Sequence, residues 1–141
     1  MSLVQRPFEF FTGHVQGITV RGESLFFSSV DTEDRSGLIF RVSRETFELE
    51  QMRRIRIPPD HYHPGGISCA GNAILVPLAE YRPHSRTVMA AMDPDSLEYT
   101  EEFRAEDHLG AVARDASGTT ICANWDAESF LFFDSAGGLV E

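Results

Sequence analysis

Short apolar runs, three to five residues each, recur along the chain between clusters of Gly, Pro, Asp and Ser. Leu25-Phe26-Phe27, Leu38 to Val42, Ile74-Leu75-Val76, Val88 to Met92, Thr120-Ile121-Cys122 and Phe130 to Phe133 are such runs. Phe47-Glu48-Leu49-Glu50 and Leu97-Glu98-Tyr99 alternate instead. Runs this short, with this punctuation, predict strands. The segment from Arg44 to Ile57 is the best helix candidate. Its apolar residues fall at positions 47, 49, 52, 55 and 57 and fit neither period, and the alternating ends predict a strand with a bulge. Almost no helix is expected.

The runs form a repeat. His14-Val15-Gln16-Gly17-Ile18-Thr19, His63-Pro64-Gly65-Gly66-Ile67-Ser68 and His108-Leu109-Gly110-Ala111-Val112-Ala113 open three units. Each start is followed by a turn (Arg21-Gly22-Glu23, Ala70-Gly71-Asn72, Ala116-Ser117-Gly118), an apolar run, a carboxylate (Asp31, Glu80, Asp126) and a second apolar run. Asp93 and Asp134 then precede a turn in the second and third units, where the first has Ser43. Four strands in about 45 residues, repeated, is the pattern of a β-propeller blade. The physical reason is that one twisted four-stranded sheet has two apolar faces and needs neighbours to cover both. The expected class is therefore all-β, with three four-stranded blades amounting to half of a six-bladed ring. Residues 14–62, 63–107 and 108–141 are the blades, the last with its fourth strand incomplete. Gly17, Gly66 and Ala111 fall on the innermost strands, where blades crowd the axis and small residues allow close backbone approach.

Three blades are fewer than the four to eight typical of closed rings. Residues 1–13 stand ahead of the first unit, where the fourth strand of a preceding blade would lie, and are expected to act as a closing strand. Two accounts fit. Two chains associate as three plus three blades in a homodimer, each front strand completing a blade of its partner. Alternatively, the chain is part of a longer six-bladed one. A lone copy would leave two raw blade faces and open edges.

Tyr62-His63-Pro64-Gly65-Gly66-Ile67, Val76 to Arg86 and Phe103-Arg104-Ala105-Glu106-Asp107-His108-Leu109-Gly110 resemble signature segments of an uncharacterised bacterial β-propeller family, carried under a domain-of-unknown-function label. The resemblance covers nearly the whole chain and implies six blades in roughly twice this length. This sequence departs by ending after three blades and by lacking a longer insertion between Asp31 and Gly37. The resemblance carries no activity. More distantly, the blades are similar to those of gluconolactonase and senescence-marker-type propellers, but that group's metal ligands find no residue-by-residue match here.

Composition narrows the partners. The formal net charge is −10, so nucleic acid and anionic membrane surfaces are repelled. No run approaches the ~18 apolar residues of a membrane span, and Met1 to Phe11 do not read as a secretory signal. Cys69 and Cys122 lie in apolar stretches without the spacing of a zinc or redox site. They read as buried free thiols of a reducing, cytoplasmic compartment, with a disulfide between them as the alternative.

Candidate chemistry follows the repeat. His14 precedes Asp31 by 17 residues, His63 precedes Glu80 by 17, and His108 precedes Asp126 by 18. In a blade the start of the first strand and the end of the antiparallel second lie at one end of the sheet. Each blade would then offer an imidazole and a carboxylate at the same channel mouth. One reading is a divalent metal site, with carboxylates as ligands or ring supports, activating water for a hydrolase or lactonase-like reaction. The other is architectural, each histidine capping a turn by hydrogen bonding to the neighbouring blade. His61 and His63, two apart, would share a strand face. Arg82 could meet an anionic ligand or pair with a surface carboxylate. Trp125, beside Asp126, could stack on a ligand or pack between blades. No nucleophile elbow, P-loop, dinucleotide fingerprint or zincin motif is present. The primary expectation is a binding or interaction scaffold for a small molecule at the channel mouth.

Overall fold

The computed structural model describes residues 4–141. The front of the expected closing strand, residues 1–3, lies outside them. Among the described residues the chain is all-β, with no α-helix. The first sheet runs β1 (His14–Arg21), β2 (Ser24–Asp31), β3 (Ser36–Ser43) and β4 (Leu49–Ile55), antiparallel and in chain order. The second comprises β5 (His63–Pro64), β6 (Ser68–Ala70), β7 (Ala73–Ala79), β8 (Thr87–Met92) and β9 (Tyr99–Ala105). Both β5 and β6 pair with β7, so they share the innermost place of a four-place sheet. The third is β10 (Leu109–Arg114), β11 (Thr120–Asn124) and β12 (Phe130–Phe133). No helix of the described residues is long and apolar enough to cross a membrane.

Local chemistry sets the reversals. Gly22 and Gly71 take φ of 56° and 58°, a left-handed conformation that glycine adopts without a Cβ clash, between the first and second strands of their sheets. Between the third and fourth strands, Ser43 Oγ accepts the N–H groups of Glu45 and Thr46, and Asp93 Oδ1 those of Asp95 and Ser96. Asp134 Oδ1 accepts those of Ala136 and Gly138 beyond β12. A short acceptor side chain thus holds each turn. The predicted bulge in 44–57 is present: Arg41 pairs with Gln51 but Val42 with Leu49, leaving Glu50 as the extra residue.

The sheets stack face to face. Phe26, Ile39 and Ile55 of the first meet Ile74, Val76 and Leu78 of the second. Leu75, Met89 and Phe103 of the second meet Leu109, Val112, Cys122 and Phe133 of the third. The innermost strands come closest. A Cβ on Gly17 would stand 2.5 Å from the Gly66 Cα, and Gly66 forms a parallel bridge to Ala111. The small residues expected at the axis are the ones that let the sheets touch.

Both ends of the stack keep exposed apolar residues. On the far face of the first sheet, Phe27, Leu38, Phe40 and Val42 form a third cluster. Ile18 and Val20 pair with Phe27 and Leu25 and share that face; Ile18 is 62% exposed. On the far face of the third sheet, Ile121 pairs with Phe132 and Ala123 with Phe130, which is 64% exposed.

Two expectations need correction. Residues 4–13 form no strand; they cross the far face of the first sheet, where Phe8 stacks on Phe27 at 5.3 Å and Phe10 on Phe40 at 5.6 Å. Placed over that cluster, the two Phe side chains bury apolar area within their own chain. The third sheet has three strands, its fourth incomplete as expected, and Leu139 bridges Phe133 where that fourth would begin. Finally, both cysteines are free, but only Cys122 is buried; Cys69 is half-buried, its thiol near Thr19 Oγ1 and the Val20 carbonyl.

Candidate functional site

All three sheets open onto one concavity of about 430 Å³. The first contributes His14 and Gln16, the second His63 and Tyr81, and the third His108, Asn124, Trp125 and Asp126, with small residues such as Gly110 and Ala111 between them. Each innermost strand breaks register just after its histidine: between Val15 and Gly17, across the gap from Pro64 to Ser68, and between Leu109 and Ala111. A break of this kind re-aims the neighbouring side chain, so the small-residue signature both admits the adjacent sheet and turns the histidines to one mouth.

His108 is the most firmly held. It is 2% exposed, and its Nδ1 lies 3.0 Å from the carbonyls of both Glu80 and Arg82, with Ser85 Oγ at 3.2 Å. A carbonyl only accepts, so Nδ1 carries the proton and the neutral ring has its lone pair at Nε2. Thr87 Oγ1 accepts from the Leu109 N–H and donates to the Asp107 carbonyl, bracketing the residue from both sides. The architectural reading is thus met here: a histidine of the third sheet hydrogen-bonds a loop of the second. The same bonds leave Nε2 as the ring's acceptor.

His63 differs. Its ring stacks on Tyr81 at 4.2 Å and 9°, and its centroid lies 5.3 Å from that of His108. Its Nδ1 is buried without a partner. Burial, with the neighbouring rings of His108 and His14 adding repulsion, pushes its pKa down to about 4. Burial also lowers that of His108. Both rings are therefore neutral near pH 7. His14 is exposed, and Gln16 Nε2 donates to its Nδ1 at 2.7 Å.

Trp125 meets the His108 ring edge to face at 4.6 Å and stands 6.3 Å from Tyr81. It belongs to a short 3-10 turn, Trp125–Ala127, in which Asp126 and Ala127 take φ of 57° and 54°. Left-handed backbone at two successive non-glycine residues is uncommon. Asn124 anchors the turn, accepting the Ser129 N–H and donating to Asp107.

The carboxylates do not converge as predicted. Only Asp126 lines the concavity. Glu80 is buried and turned to Arg82 (2.7 Å) and Arg86 (3.0 Å), whose guanidiniums hold its carboxyl below the usual range. Asp31 accepts the N–H groups of Glu33 and Asp34 and lies 3.6 Å from Arg54. Each is drawn away by nearer donors. His61 is also absent from the lining: the residue forms a bridge with Ile57, with its Nδ1 buried and unpartnered. Arg82 is engaged by Glu80, the carboxylate alternative. Among the described residues no three His, Cys, Asp or Glu side chains are grouped to hold one metal ion. The donor set expected for a divalent ion is therefore not assembled. Gln16 and Asn124 were not anticipated in the lining. The available signal was position, each lying within two residues of a repeated histidine or carboxylate.

Comparisons with known proteins place this geometry. A computationally designed protein, Ika4, known from its crystal structure, matches over 100% of this chain and 79% of its own, with a TM-score of 0.61 at 12% identity. That likeness concerns the fold alone. No curated protein matches. The profile of a family of unknown function, DUF6454, matches residues 2–137, nearly the whole length, and the chain belongs to that family.

Proposed function

We propose that the chain is a binding scaffold whose ligand site is the histidine-lined concavity. Its three sheets act as half of a six-bladed propeller that a second copy completes. The observation that carries the reading is that three consecutive sheets each deliver the histidine of their innermost strand to a single concavity. A merely architectural histidine needs only its Nδ1 bond, whereas here aromatic rings, amides and a carboxylate from different sheets join it. Such a concave, largely apolar pocket with a few convergent polar groups is the usual form of a small-molecule site. Pairing with a second copy is supported by the apolar residues left exposed at the two ends, Ile18 and Val20 at one and Phe130 at the other. Free thiols at Cys69 and Cys122 suit a reducing compartment such as the cytoplasm.

Trp125 is the only tryptophan, so one indole N–H resonance reports on the site. A screen of small molecules against isotope-labelled protein is expected to find compounds that shift this resonance saturably. Loss of the shift in His63→Ala, with the fold retained, would locate binding at the concavity. A broad screen in which binders leave the indole resonance unmoved would overturn the assignment.

A further inference from the structure

The charge and ring content of the concavity narrow what it takes. No Lys or Arg lines it, and the nearby guanidiniums of Arg82 and Arg86 are tied to Glu80. Asp126 supplies the one carboxylate in the lining. Tyr81 is covered on one side by His63 and is 43% exposed, and Trp125 stands at 44° to it, so the two rings form a corner. Ring faces carry negative potential and attract a cation within about 6 Å. The His108 Nδ1 proton is committed to carbonyls, which leaves Nε2 as an acceptor. An anion would find no cation to meet it. A bare metal ion would find no grouped ligand set. The net charge of −10 adds an attractive field for positive ligands.

We propose that the concavity binds a small organic cation, an alkyl- or arylammonium, held by the faces of Tyr81 and Trp125 and the carboxylate of Asp126. This rests on the reading of the concavity as a ligand site and adds the ligand's class to it. An ammonium bearing an N–H would also donate to His108 Nε2; a quaternary one would use the rings and carboxylate alone.

Trp125 fluorescence tests the inference with three probes of one shape: choline, its uncharged carbon isostere 3,3-dimethylbutan-1-ol, and the anion 3,3-dimethylbutanoate. Choline is expected to give a saturable change, the alcohol to bind about tenfold more weakly, and the anion to give none. Asp126→Asn suits the left-handed backbone, because asparagine tolerates it. It is expected to weaken choline severalfold and leave the alcohol unchanged, and Tyr81→Leu to weaken choline likewise. If the alcohol or the anion binds as well as choline, the cation inference is overturned while the ligand site stands. If choline gives no response, the inference is likewise overturned, and the site reading then depends on the indole screen.

Discussion

Gly17 has no room for a side chain: an added Cβ would press on the Gly66 Cα at 2.5 Å and the Ile67 nitrogen at 2.9 Å, all backbone that cannot swing aside. Gly17→Ala is therefore expected to force the first and second sheets apart and to cost roughly 1–3 kcal/mol in urea unfolding. Gly71→Ala makes a useful comparison, because open space surrounds Gly71 and its cost comes from the left-handed φ alone. Equal stability of Gly17→Ala and the wild type would contradict the close approach. His63 gives a second test at this scale. Its folded pKa of about 4 lies below the ordinary 6.5. Between those values the unfolded chain binds a proton that the folded chain does not, so stability falls as pH drops through that window and the effect levels off below about 4. Urea midpoints at pH 7 and 4.5 are expected to fall further for the wild type than for His63→Gln. Equal losses would show that the ring is not held neutral.

At the scale of elements, the front segment matters most. Relative to the first sheet, Phe8 and Phe10 occupy the relation that Ile55 of β4 has to the second sheet and Phe103 of β9 to the third. Replacing both with Ala is expected to bare Phe27 and Phe40, cost roughly 2–3 kcal/mol and raise the binding of an apolar dye. Unchanged stability would mean that the segment covers nothing. Strand positions were legible because apolar runs and turn residues report period and punctuation directly; even the bulge opposite Arg41 and Val42 could be read from the broken alternation. The convergence of the histidines was legible too, since it follows from antiparallel geometry and a repeated signature. The fates of Asp31 and Glu80 were not. Which donor a carboxylate meets depends on Arg54, Arg82 and Arg86 finding it first, and two of those lie in loops whose path no periodicity encodes. The stacking of Tyr81 on His63 was not legible for the same reason, because it is a contact between a loop and a strand.

The whole molecule is a stack of three sheets with buried faces inside and apolar faces at both ends. Ile18 and Phe130, at opposite ends, are each more than half exposed, although the equivalent inward surfaces are fully packed. The acidic surface keeps such a chain dispersed through like-charge repulsion, so association would be confined to the faces where apolar area outweighs charge. The central claim is that these ends meet in a second copy and close a ring around the histidine concavity. Size-exclusion chromatography with light scattering tests it most directly. A single species of about twice 15.8 kDa that persists on dilution to low micromolar concentration is expected. A stable, monodisperse species of 15.8 kDa over the same range would contradict it.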